Sequence, residues 1–310
     1  MKRRIYMFID IHTHAFRKPP VGINPQKPNE HIATVEDLIE MFDTYEIEKG
    51  AVLPMVSSEV YLTQANEDIL DMAEKYPDRI IPFCNIDPRY GSNSSETPLD
   101  MILQYYKNKG CKGIGEVMPL LEFSDPRVQN LFRCAEKVGL PVTFEGACQK
   151  NTGFGMYLDQ GLPQLEQTLM SYTGLKIVGH GPVFWSEISR LETPGERAYF
   201  YTVDGRQVGR CPESPIKEEG VVPVLLRRYP NLYGDLSDAT AYNALARDEE
   251  YGPKFLEEFQ DKLMFGTDYF FPGCPVKLPS LLKRWREEGK ISETVFNKIA
   301  RENAIRIYGL

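Results

Sequence analysis

Histidine is scarce in this chain and unevenly placed: His12, His14, His31 and His180 are the four present. Two of them stand one residue apart in Ile11-His12-Thr13-His14, where a short apolar run ends. In extended backbone, residues i and i+2 point to the same side, so both imidazoles enter one small volume. That is the arrangement a shared divalent metal needs. Further along, apolar runs give way at their last residues to a carboxylate or imidazole beside glycine. They read Gly115-Glu116, Glu145-Gly146, Gly179-His180-Gly181 and Gly266-Thr267-Asp268. A charged group at the end of a buried strand is costly unless it binds something. The recurrence of the pattern argues for one shared site rather than separate solvated side chains.

Such residues need elements that bring them together. Short runs rich in Ile, Val and Phe cover 5–11, 50–56, 80–86, 111–117, 140–145, 175–179, 231–236 and 262–266. Most begin about 30 to 45 residues apart, the length of a strand-and-helix unit. Their apolarity is continuous rather than alternating, as in parallel strands covered on both faces. Helical patterns fill the intervals at 35–45, 66–75, 99–109, 125–138, 163–171, 278–288 and 292–308. Thr34 caps the first, with Asp37 at the capping-box position, and Gly110, Gly139 and Gly174 end others. No strand is followed by GxGxxG, which disfavours a doubly wound sheet. The reading is a single (β/α)8 TIM barrel over residues 1–310, with an insertion near 184–220 after strand six, on the face where barrel enzymes place their sites.

Lys and Arg number 36 against 44 Asp and Glu, a net charge of −8 without a long basic run, which disfavours nucleic acid or an acidic membrane surface as partner. No apolar stretch approaches the ~18 residues of a membrane span, and the run after Met1-Lys2-Arg3-Arg4 is too short for a signal peptide. Cys84, Cys111, Cys134, Cys148, Cys211 and Cys274 form no CxxC pair, and are read as reduced thiols of a cytoplasmic protein. Neither GxSxG nor GxxxxGKS occurs, so neither a serine hydrolase nor a P-loop is supported.

His12-Thr13-His14, Lys176-Ile177-Val178-Gly179-His180-Gly181 and Met264-Phe265-Gly266-Thr267-Asp268-Tyr269 resemble, in combination, the amidohydrolase superfamily and most closely its family-2 branch. That branch contains metal-dependent hydrolases, lactonases and nonoxidative decarboxylases. The resemblance implies that His12 and His14 bind the metal and that His180 binds or orients metal or substrate. It implies that Asp268 contacts the metal and acts as general base, and that Glu116 stands where TatD-like relatives have a metal-bridging glutamate. This chain departs at strand five, where the family usually has histidine and Glu145 stands instead. Glu145 then serves as an oxygen ligand, making the site harder and tolerant of Mn as well as Zn, or that ligand is lost.

Arg206 and Arg210 on the insertion are candidates to fork onto a substrate carboxylate, with solvated charge as the alternative. Trp185 and Tyr269 are candidate pocket walls, with structural packing as the alternative. Lys112 faces the wrong end of its strand for a metal ligand, His31 reads as a surface or capping residue, and Cys148 as packing. The expected activity is hydrolysis of a small lactone, amide or ester-like substrate by water activated at a divalent metal, Zn before Mn. The alternatives are a metal-dependent decarboxylase on the same scaffold and a non-catalytic binding protein. The expected partner is a small molecule, possibly carboxylate-bearing, and a homodimer is possible.

Overall fold

A computed structural model of the chain describes residues 7–18, 31–60, 62–151, 153, 155–197, 202–203, 206–207 and 211–310, with the backbone alone for 202–203 and 206–207. The eight expected runs form the barrel strands β1 (Phe8–Thr13), β2 (Ile47–Val52), β3 (Ile80–Pro82), β4 (Ile114–Val117), β5 (Val142–Ala147), β6 (Ile177–His180), β7 (Leu232–Asp235) and β8 (Leu263–Met264). All neighbouring pairs are parallel. One sheet runs β1-β2-β3 and another runs from β4 through β5, β6 and β7 to β8. The sheets meet at two seams by single contacts. Cys84 bridges Ile114 beside β3 and β4, and Ile11 and Asp268 donate backbone N–H groups to Phe265 and His12 at 3.1 and 2.8 Å. The result is the (β/α)8 barrel that the alternation of elements implied.

The expected helices are present as α1 (Val35–Thr44), α2 (Asn66–Lys75), α3 (Leu99–Asn108), α4 (Pro126–Val138) and α5 (Pro163–Ser171). Thr34 and Asp37 close the capping box of α1. Four helices escaped the periodicity reading: α6 (Gly181–Trp185), α7 (Val221–Arg228), α8 (Asp238–Ala246) and α9 (Tyr251–Glu258). Their sequences explain this. α8 buries mostly small residues, Thr240, Ala241 and Ala244 beside Leu245, which leave no pronounced apolar stripe. α9 opens on Tyr251-Gly252-Pro253, a dipeptide signal of a turn.

After α10 (Leu278–Glu287), the predicted last helix is divided into Glu293–Asn297, a π-helical turn Lys298–Glu302 and Asn303–Tyr308. Its end seals the lower mouth of the barrel. Ala304, Ile307 and Tyr308 pack on Ile9, Ile11, Leu53, Ile81 and Phe83 from the barrel lining, with the Tyr308 and Phe83 rings 5.1 Å apart. Lys112 Nζ donates to Gly309 O at 3.1 Å and Lys176 Nζ to Ile307 O at 2.9 Å, so two strand-start lysines satisfy carbonyls where the helix ends. Among the described residues no helix is long and apolar enough to cross a membrane.

Candidate metal centre

All six residues of β1 are buried, and the strand delivers His12 and His14 together. His12 Nδ1 lies 2.6 Å from Asp235 Oδ2, and His14 Nδ1 lies 3.0 Å from the Leu53 carbonyl oxygen. Nδ1–H is the donor in each pair, because both partners only accept. Both Nε2 atoms then present lone pairs toward the same point, 3.2 Å apart. A proton on one ring, or a cation between the two, would satisfy this pair.

Two carboxylates face the same point. Glu116 Oε2 is 3.5 Å from His12 Nε2 and 3.7 Å from His14 Nε2. Asp268 Oδ1 is 3.6 and 3.4 Å from them. Donors ~2.1 Å from a tetrahedral ion are separated by roughly 3.4 Å. The five separations lie near that value, and the donor set of two imidazoles and two carboxylates suits Zn or Mn.

His180 and Glu145 stand on the other side of Glu116. His180 Nε2 is 3.6 Å from Glu116 Oε1 and 3.6 Å from Glu145 Oε2, and this trio is also spaced to hold an ion. Glu116 thus turns one oxygen to the histidine pair of β1 and the other to His180. A third close group, His12, His180 and Asp235, is explained by hydrogen bonding. Asp235 Oδ2 also lies 3.1 Å from His180 Nδ1, and its Oδ1 accepts from Ser237 N at 2.9 Å. Asp235 therefore fixes the ring orientation of two histidines at once.

Glycines make room for these carboxylates. A Cβ on Gly181, whose φ is +76°, would stand 1.8 Å from Glu145 Oε2, and one on Gly266 would stand 2.7 Å from Asp235 Oδ1. Asp268 itself is held at φ +52°, a left-handed conformation that costs a non-glycine residue of order 1 kcal/mol. Neighbouring bonds impose it. Asp10 Oδ2 accepts from Thr267 Oγ1 at 2.7 Å and its Oδ1 from the N–H groups of Thr267 and His12, at 3.1 and 3.0 Å, stitching the end of β8 to β1. Burial, opposed by these bonds, pushes the Asp10 carboxyl up to about 7.

The local field is that of a cation site. Burial disfavours a charge on His12, yet Asp235, followed by Glu116 and Asp268, outweighs it and holds the imidazole well above its ordinary value. Burial raises Glu116, and the three surrounding histidines more than reverse this, holding it low. Glu145 goes the opposite way: burial, then Glu116, Asp238 and Asp268, push it well up. A divalent ion would relieve the repulsion among these carboxylates.

Sequence reasoning missed Asp235, Asp10 and Asp238. Tyr233-Gly234-Asp235 repeats the apolar–glycine–carboxylate signature of the other strand ends, so Asp235 was legible. Asp10 sat inside an apolar run, and Asp238 just beyond one. Two predicted pocket walls stand elsewhere. Trp185 is fully buried, its Nε1–H donating to Asp235 O at 2.7 Å. It buttresses the strand from behind, because α6 begins directly after His180 and turns the indole into the core. Tyr269 is buried with the main core; burial, then Asp37, pushes its hydroxyl up to about 12. The side chain of Arg206, and Arg210 entirely, lie outside the described residues.

Access is one-sided. The side chains of His12, His14, Glu116, Glu145 and His180 are at most 6% exposed, whereas Asp268 is 27% exposed. Asp268 opens into a cavity of about 360 Å³ shared with Asp238, Tyr242, Val276 and Lys277. On the opposite side Phe16, Ile32, Met55 and Met118 pack with Phe270 and Phe271, and Phe270 meets His14 edge-on at 5.5 Å. A larger groove of about 570 Å³ on the insertion, lined by Ser189, Arg190 and Glu218, contains none of the site residues.

Residues 219–310, which carry Asp235 and Asp268, match the second amidohydrolase family, described as Amidohydrolase. The match spans roughly the last third of the chain. No curated protein matches the chain. Its fold is shared with solved structures over nearly their whole length. An uncharacterized TIM-barrel protein from Bordetella bronchiseptica is 18% identical at a TM-score of 0.64, with 97% of this chain and 98% of that one covered. A probable 2-pyrone-4,6-dicarboxylic acid hydrolase from Acinetobacter baumannii, with citric acid bound, is 14% identical at 0.59, covering 98% and 100%. A 5-carboxyvanillate decarboxylase from Novosphingobium aromaticivorans, with bound manganese and a nitrobenzoic acid, is 16% identical at 0.60, covering 100% and 99%. The matched segment, the shared fold and the donor set of the site together are those of an enzyme.

Proposed function

We propose that this protein is an amidohydrolase-type, metal-dependent hydrolase of a small lactone, amide or ester-like substrate. His12, His14, Glu116 and Asp268 would hold the metal, and Glu145 with His180 would complete the site. The observation that carries the reading is the convergence of Glu116 and Asp268 on the paired Nε2 atoms of His12 and His14 at 3.4 to 3.7 Å, with Asp268 facing the cavity. A divalent ion held there supplies Lewis acidity and lowers the pKa of water from near 16 toward ~7. The protein supplies the rest. Asp268 is the exposed carboxylate, placed to accept a proton from water and pass it to a leaving group, a role typically worth 10²- to 10⁴-fold. His180, oriented by Asp235 and Ser237, turns Nε2 to the site and orients the substrate carbonyl or moves a second proton. The cluster of Phe16, Met55, Phe270 and Phe271 keeps water from the rear.

A second reading, nonoxidative decarboxylation, is favoured by the fold shared with the manganese-bound decarboxylase and by the cation in the cavity. In that reaction Asp268 or His180 delivers a proton to the carbon that loses CO2. Elemental mass spectrometry of the purified protein, before and after incubation with Zn or Mn, tests the shared premise. About one or two equivalents of metal are expected, and none under any condition would sink both readings. Turnover of lactones and amides without gas release supports the hydrolase, and CO2 release from carboxylated aromatics supports the lyase.

A further inference from the structure

The cavity that opens onto Asp268 is electrically divided. Asp238 and Asp268 supply carboxylates on one part of its wall, and Lys277 supplies an ammonium on another. Asp238 is anchored: its Oδ2 accepts from Thr240 Oγ1 at 2.8 Å and its Oδ1 from Ala239 N. Its φ of +67° fixes it where strand β7 hands over to α8. Lys277 differs in kind. Surface cations on this protein are commonly paired, as in Arg89 with Glu59 and Asp87, Arg227 with Glu219 and Glu258, and Lys290 with Glu249. Among the described residues no carboxylate stands within 4.0 Å of Lys277; its neighbour is the Tyr242 ring, with Nζ 5.5 Å from the centroid. Tyr242, Val276 and Leu236 give the cavity an apolar surface between the charged groups.

We propose that Lys277 is a specificity-determining residue that selects substrates carrying an anionic group, foremost a carboxylate, separate from the bond that reacts. This inference rests on the proposed reaction site, whose solvent-facing carboxylate it shares a cavity with. The reasoning is by charge and space. A volume of about 360 Å³ accommodates a small ring-bearing molecule. Asp238 repels an anion placed beside it, so the anionic end is turned to Lys277 and the ring lies along Tyr242. Recognition and orientation then come from one contact, and the reactive carbonyl is presented to Asp268.

Isophthalate is the test probe, with benzoate and neutral isophthalamide as controls. Dissociation constants are measured by calorimetry on the full chain, as prepared and after loading with Zn. The wild type is expected to bind isophthalate more tightly than either control. Lys277→Met should weaken isophthalate by about ten- to a hundredfold, leave isophthalamide and metal content unchanged, and Lys277→Arg should restore most of the loss. An isophthalate preference unaltered in Lys277→Met, or no isophthalate binding at millimolar concentration, overturns the assignment. Failure of the metal reading appears separately, as absence of Zn uptake in the wild type.

Discussion

The two ends of the barrel treat buried polar groups in opposite ways. At the lower end, Lys112 and Lys176 reach carbonyls of the last helix, and Ile307 and Tyr308 fill the remaining space. Both ammonium groups there meet carbonyl oxygens within the chain. At the upper end, three carboxylates, Glu116, Glu145 and Asp268, crowd three imidazoles, His12, His14 and His180. The lower end is closed by side chains of the chain itself, and the upper end gathers groups that a cation would satisfy. The same eight strands supply both, which separates stability from chemistry along the barrel axis.

Substitutions at the two ends should therefore fail differently. The largest effect expected is for His14→Ala, which removes one of the four proposed ligands. Metal affinity should fall by more than about a hundredfold, with an unchanged circular dichroism spectrum; a variant that retains full metal content would break the comparison. Ile307→Ala, at the lower end, should cost about 2–5 kcal/mol of stability in urea titrations. Its metal stoichiometry should stay at the wild-type value, and loss of metal from the folded variant would show that the ends are not separate.

A smaller effect is expected from Asp235→Asn. The amide no longer accepts from both histidines through a charged oxygen, so the imidazoles lose their fixed tautomers. Metal affinity should fall about 10- to 100-fold, less than for a direct ligand, and equality with His14→Ala would make Asp235 a ligand itself.

The smallest effect concerns a carboxylate on the upper face that already has its cation. Glu187 is buried against Arg197 at 3.3 Å and accepts from Gly161 N. Burial, outweighing both, pushes it up to about 7 from its ordinary 4.5. A carboxyl raised on folding stabilises the native state fully below about 4.5 and loses that contribution as pH rises through about 7. Glu187→Gln should flatten the fall of Tm across that window without touching metal content, and parallel pH profiles for the two proteins would refute the assignment.

The sequence carried most of the barrel because parallel strands buried on both faces are written as continuous apolar runs. It carried the strand-end candidates because a charge beside glycine interrupts such a run abruptly. His12, His14, Glu116, Glu145, His180 and Asp268 are all brought to one place, while their roles rest on the proposal above. What stayed hidden was direction. Trp185 and Tyr269 adjoin site residues in sequence, yet helix α6 turns one indole inward and the bonding of Thr267 to Asp10 turns the other ring toward α1. Asp10 and Asp238 were hidden because neither ends an apolar run. Helix α8 was missed because its small buried residues draw no apolar stripe, and α9 because Gly252-Pro253 at its start reads as a turn.

The one-sided exposure of Asp268 has a kinetic corollary. Among the described residues, the cavity lined by Tyr242 and Lys277 reaches the site at Asp268, so an ion held there would have a route to solvent through it. Along that route chelators share a doorway with substrates. Stripping by a bulky chelator should be slow compared with a small one, and an occupant of the cavity should guard the ion against both. Retention of the metal during turnover is thus a property of the wall, as much as of the ligands.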